Sequence, residues 1–127
     1  MTDSAATHIG PEAQFQHFLA SGRFMIQRCR SSGRYIFYPR VAEPASGDPE
    51  LEWVEASGEG SIYSVTIVRP KPPLEPYSVV LVDLAEGPRL MSTVQGIAPE
   101  GVRIGMRVRS RIVSSEGQHR IVFEALR

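Results

Sequence analysis

The chain has 127 residues, 42% of them hydrophobic and 22% charged, which supports a packed core and excludes wholesale disorder. Its 14 Lys and Arg balance 14 Asp and Glu, so the basic footprint that nucleic-acid binding draws on is missing. A single cysteine excludes an intramolecular disulfide, and no apolar run approaches the roughly 20 residues of a membrane span. The N-terminal stretch MTDSAATHIGPEAQ lacks the basic and apolar regions of a secretory leader. The expected setting is therefore cytoplasmic, away from any membrane.

Residues 1–10 are small and polar and read as a disordered tail. Pro11 then opens a short amphipathic helix. Phe15, Phe18 and Leu19, at i, i+3 and i+4, share one apolar face, and Gly22 is the stop signal. A helix this short must dock on something to persist. His17 is off that stripe and has no companion ligand, so it reads as solvated.

Phe24–Arg28 and Arg34–Tyr38 read as two short strands around a turn at Ser31, Ser32 and Gly33, followed by the loop VAEPASGDPE. The segment has the outline of a zinc knuckle. Such a site needs two pairs of thiolate or imidazole ligands at C-x2-C spacing. Here Cys29 is followed at that spacing by Ser32, and the second pair falls at Glu43 and Ser46. One thiolate, one carboxylate and two hydroxyls are a poor zinc set, so no metal is expected. Cys29 reads as a small buried hydrophobe. Arg28 and Arg30 adjoin it but point to the opposite strand face, which leaves a catalytic thiol without its basic partner.

Trp53 to Val68, WVEASGEGSIYSVTIV, is the stretch around which the rest of the chain is organised. Gly58 and Gly60 allow a sharp bend or bulge at the start of a long strand. Alternation places Tyr63, Val65 and Ile67 on one face and Ile62, Ser64, Thr66 and Val68 on the other. The proline-rich VRPKPPLEPY is a stiff connection from which Arg69 and Lys71 project. Tyr77–Leu84 reads as a central strand, Ala85–Pro88 as a hairpin turn and Arg89–Gln95 as the return strand. After the turn-rich Gly96–Gly105, Met106–Val113 forms a fourth strand. Val108 and Ile112 lie on one face of it and Arg107, Arg109 and Arg111 on the other. Ser115–Gln118 turns the chain into His119–Leu126, with Ile121, Phe123 and Ala125 alternating. Five strands at this spacing suit an oligonucleotide/oligosaccharide-binding (OB) barrel better than a sandwich. The expected fold is all-β with a short N-terminal helix: residues 11–50 carry the helix and a degenerate ribbon, and residues 51–127 the OB-fold domain.

Several blocks in order resemble one known family: FQHFLASGRFMIQRCRSSGRYIFYPR, LEWVEASGEGSIYSVTIVRP, PYSVVLVDLAEGPRL, GIAPEGVRIGMRV and IVFEAL. The family is the acyl-CoA-associated OB-fold proteins, which carry an N-terminal rubredoxin-like zinc ribbon. The resemblance implies a non-catalytic partner of a thiolase, thiolase-like synthase or acyl-CoA dehydratase. It also implies that the helix and ribbon, here Phe15, Phe18 and Leu19, dock on that partner, with the barrel near the acyl-CoA route. Of the four ribbon cysteines only Cys29 remains, so zinc is not carried over; coenzyme A thioester stays as a candidate ligand.

No catalytic motif is visible: no Ser-His-acid order, no H-E-x-x-H, no G-x-x-x-x-G-K. Gly58 and Gly60 precede no helix and are not a phosphate cradle. Asp83, alone in an apolar strand, reads as a satisfied or edge residue rather than a base. Arg107, Arg109 and Arg111 form either a solvated strand face or a grip for coenzyme A phosphates. Arg69 and Lys71 flank a loop at a barrel end, where OB folds bind, and are candidates for phosphate or partner contact. Trp53 and Tyr63 are read as core rather than as stacking platforms. The function expected is an accessory subunit that positions an acyl-CoA for another enzyme. The alternatives are a single-stranded nucleic-acid module, by analogy of fold alone, and a stand-alone thioesterase, for which no nucleophile-base pair is present.

Overall fold

The computed structural model describes residues 10–42, 44, 46, 47 and 49–126. The expected tail, apart from Gly10, and Glu43 of the knuckle lie outside these residues. The chain divides into two compact units, one taking the chain up to Ala56 together with Ser114–Arg120, the other Ser57–Val113 and the chain from Ile121 onward.

In the first unit, α1 (Pro11–Ala20) starts at proline and ends at Gly22, whose φ of 81° suits glycine. Gly22 and Arg23 donate backbone hydrogen bonds to Leu19 (2.9 Å) and Phe18 (3.0 Å), closing the last turn. β1 (Met25–Cys29) is the centre of a three-stranded antiparallel sheet, between β2 (Tyr35–Ile36) and β3 (Leu51–Glu55). The aromatic groups assemble on this sheet. Phe15 lies edge-on to Phe37 with ring centres 5.8 Å apart, and Phe18 is tilted over Trp53 at 5.3 Å. The Trp53 indole donates to the Gln14 side-chain oxygen at 2.6 Å, fixing helix to sheet. Gln16 does the same for the tip of the 114–120 hairpin, donating to the His119 carbonyl (2.8 Å) and accepting from its N–H (3.0 Å).

The second unit holds β4 (Glu59–Val68), β5 (Tyr77–Leu84), β6 (Arg89–Ser92), β7 (Val94–Gln95), β8 (Arg107–Ser115) and β9 (Gln118–Ala125), with one 3-10 turn at Pro99–Gly101; the tip of the β8–β9 hairpin belongs to the first unit. The sheet order is β6-β5-β4-β8-β9-β7. Its two ends, β6 and β7, are consecutive pieces of one run interrupted only at Thr93, so that run is antiparallel to β5 and parallel to β9. The Phe123 N–H donates to the Thr93 carbonyl at 3.0 Å across the interruption. This is the strand arrangement of an OB fold, as expected. Val80, Val82, Leu90, Val108, Val122 and Phe123 are sealed inside it.

Three local expectations are corrected. The bulge on β4 falls between Ile62 and Ser64, not at the glycines. The extra residue, Tyr63, reverses the alternation: Ile62 pairs with Val82 and Val65 with Val80, while Tyr63 stays half exposed rather than in the core. Gly60 serves close approach instead, since a Cβ there would stand 2.6 Å from the Asp83 carbonyl oxygen. On β9, Val122 is buried as fully as Phe123, so simple alternation fails.

Candidate functional site

Cys29 ends β1 and is fully buried, its sulfur 3.4 Å from the Ser31 hydroxyl. Hydrogen bonding from Ser31, and next from Ser32, holds its thiol below the ordinary cysteine value. The turn is closed by backbone: Cys29 N–H donates to Arg34 (2.8 Å) and Gly33 N–H to Cys29 (2.8 Å). Glu52 on β3 gathers Arg28 (3.0 Å) and Arg30 (3.3 Å) beside it. Among the described residues, no three His, Cys, Asp or Glu side chains gather as a metal-binding group. Among the described residues, the side-chain groups that bond to Cys29 are the Ser31 and Ser32 hydroxyls, which are poor zinc ligands.

The helix stripe expected to meet a partner packs within its own unit. Phe15 and Leu19 are buried, and Phe18 is half-buried on Trp53 with the Arg23 guanidinium 5.7 Å from its ring centre. A partner-docking role for Phe15 and Leu19 does not match that burial. Trp53 is likewise held by its own unit rather than offered for stacking.

The five candidate cations, all in the second unit, fall into two groups. Arg69 pairs with Glu100 and Arg107 with Glu59, each at 3.4 Å and well exposed. Lys71, Arg109 and Arg111 are exposed and form no ion pair with another described residue. Asp83 is satisfied: Arg89, its cross-strand neighbour, donates to its two oxygens at 2.6 and 3.3 Å. The Arg89 guanidinium also lies 3.4 Å from the centre of the Tyr63 ring. Leu81 and Met91 face each other across β5 and β6 on the same outer surface, where Tyr63, Tyr77 and Met91 are each about half exposed or more.

Two of the hollows among the described residues lie in this unit. A cavity of about 410 Å³ is bordered by Gln95, Ile97, Arg109, Glu124 and Leu126. A smaller one, about 240 Å³, is bordered by Glu59, Gly60, Asp83 and Arg107. Sequence reasoning missed Gln95 and Glu124 because they matter only once β7 lies beside β9. It also missed two buried polar residues. Gln27 clasps the backbone of Arg40 through bonds of 2.8 and 2.7 Å, and Ser78 accepts from the Val94 N–H at 3.1 Å. In the sequence both look like ordinary strand positions.

Fold and surface thus define a small OB-fold protein with an appended three-stranded sheet. The model of the ChsH2 C-terminal OB-fold domain matches residues 53–113. A DUF35 domain-containing scaffold protein of Pyrococcus furiosus is 32% identical over 98 residues, covering 74% of this chain and 71% of that protein. The chain belongs to the DUF35 family of OB-fold proteins. A probable enoyl-CoA hydratase alpha subunit of Thermomonospora curvata is 40% identical over 89 residues, 68% of this chain but only 28% of that longer protein. Among solved structures, the Ltp2-ChsH2(DUF35) aldolase superposes with a TM-score of 0.78 at 32% identity, covering 93% of this chain and 97% of the matched one. A DUF35 protein of Sulfolobus solfataricus, 16% identical with a TM-score of 0.67, shares the fold.

Proposed function

We propose that this chain is a non-catalytic accessory subunit that docks on an acyl-CoA-processing enzyme, thiolase-like or dehydratase-like, and helps to position its thioester. The observation that carries this reading is the near end-to-end likeness to the DUF35 component of the Ltp2-ChsH2 aldolase. The names of the relatives agree with it: scaffold proteins on one side, a hydratase subunit on the other. The chemistry of the surface also supports it. Asp83 is neutralised by Arg89, and Cys29 is sealed, so neither is poised as a base or nucleophile. The outer face of β4–β6 offers Tyr63, Arg89 and Met91, residue types that concentrate binding energy at interfaces. The cations Lys71, Arg109 and Arg111 are left for phosphate.

Affinity purification of the tagged chain from its native host, followed by mass spectrometry, tests the reading. An acyl-CoA enzyme is expected in stoichiometric yield. Turnover of acyl-CoA thioesters by the purified chain alone would contradict the non-catalytic role.

A further inference from the structure

We propose that the cavity beside Arg109 seats the 3′-phosphorylated adenine nucleotide that forms the head of coenzyme A. The proposal rests on the reading of this chain as a partner of an acyl-CoA enzyme and assigns the place where it touches the ligand.

Three polar side chains stand level across β7, β9 and β8. Gln95 is opposite Glu124 in the parallel β7–β9 ladder. The Leu126 N–H donates to the Arg107 carbonyl at 2.9 Å, which sets Arg109 level with Glu124 two residues further along the hairpin. The row spans two strand spacings of about 4.8 Å each. All three residues border the cavity of about 410 Å³, with Ile97 and Leu126 as its apolar wall. That volume lies within the usual range for small-molecule sites. Arg109 and Glu124 carry opposite charges on adjacent strands, yet neither pairs with the other or with any described residue. The Gln95 side chain likewise makes no hydrogen bond to another described residue.

An amide, a carboxylate and a guanidinium in that order select a ligand with complementary groups in that order. The Gln95 amide can both accept from an adenine amino group and donate to the adjacent ring nitrogen. Glu124, acceptor only when ionised, takes the second amino hydrogen and repels the 6-oxo group that guanine presents there. Arg109 takes phosphate through paired N–H groups, and Arg111 follows it on the same exposed face of β8. Glu124 keeps phosphate away from the base end, so the orientation is fixed. Ile97 and Leu126 give the ring face an apolar surface to lie on.

The test is calorimetric titration of the full chain with adenosine 3′,5′-bisphosphate, guanosine 3′,5′-bisphosphate and ADP, with thermal melts confirming that each variant folds. The adenosine bisphosphate should bind and the guanosine form bind weakly or not at all. ADP, which lacks the 3′-phosphate, should bind less tightly. Loss of one charge-assisted contact in Arg109→Ala should weaken binding about ten- to hundredfold. Glu124→Gln should weaken adenosine binding and narrow the preference over guanosine. Absence of binding, equal binding of the guanosine form, or wild-type affinity in both variants would overturn the site. ADP binding as tight as the bisphosphate would overturn the coenzyme A assignment. Capture of an acyl-CoA enzyme by a chain that fails to bind the bisphosphate would leave the accessory role standing and remove this pocket from it.

Discussion

The guanidinium of Arg89 sits 3.4 Å from the centre of the Tyr63 ring while it clasps Asp83 with two nitrogens. Tyr63 follows Ser61, the cross-strand partner of Asp83, onto that face, and the bulge beyond it turns Val65 inward. An arginine held by a carboxylate on one side and a ring on the other is pre-organised, so little freedom is lost when a partner covers it. Arg89→Ala or Tyr63→Ala should leave the melting midpoint close to wild type and weaken capture of the partner enzyme at least about tenfold. Pull-down yield and a melt on the same sample check both halves.

The helix is an internal strut. Leu19 is 1% exposed, and Gln14 receives the Trp53 indole N–H. Leu19→Ala should cost about 2–5 kcal/mol of stability, and Trp53→Phe about 1 kcal/mol for the indole hydrogen bond. Chemical denaturation measures both. Wild-type stability in Leu19→Ala would mean that α1 is a free arm after all.

Gly60 has no room for a side chain: a Cβ would meet the Asp83 carbonyl oxygen at 2.6 Å and Val82 Cγ1 at 2.9 Å. Because the first obstacle is backbone, β4 and β5 would have to part. Gly60→Ala should destabilise by about 1–3 kcal/mol. Gly101→Ala, whose nearest contact would be an ordinary 3.8 Å to Ile97, is the matched control and should be nearly silent.

The knuckle should need no metal. Purified protein is expected to carry zinc far below one atom per chain, and its melting midpoint should not move with a chelator. Cys29, with its side chain sealed, should react with thiol reagents only as fast as the unit opens. Elemental analysis, a melt with and without chelator, and timed thiol labelling check this in one preparation. Stoichiometric zinc with a chelator-sensitive melt would contradict it.

Much of the fold was legible where local chemistry decides. Tyr77–Leu84 is readable to the residue because its apolar run ends at the Ala85–Pro88 turn, and α1 because Pro11 and Gly22 punctuate it. What failed to show was set by distant chain. Thr93 interrupts its strand where the run changes from β5 to β9 as partner, and Val122 is buried because β9 lies in that wrapped sheet. The bulge at Tyr63 reverses a face with no glycine to announce it. The arginine ridge was visible, but which arginine borders a cavity was not, since Gln95 and Glu124 lie far apart in sequence. The helix stripe is legible as apolar, but its burial against Phe37 and Trp53 is not encoded in periodicity.

Affinity purification from the native host bears most directly on the accessory role. The chain should bring down an acyl-CoA-processing enzyme in near-equal amount, and that enzyme should lose activity when the chain is removed and regain it when the chain is returned. Recovery of the chain alone, or an enzyme equally active with and without it, would contradict the account.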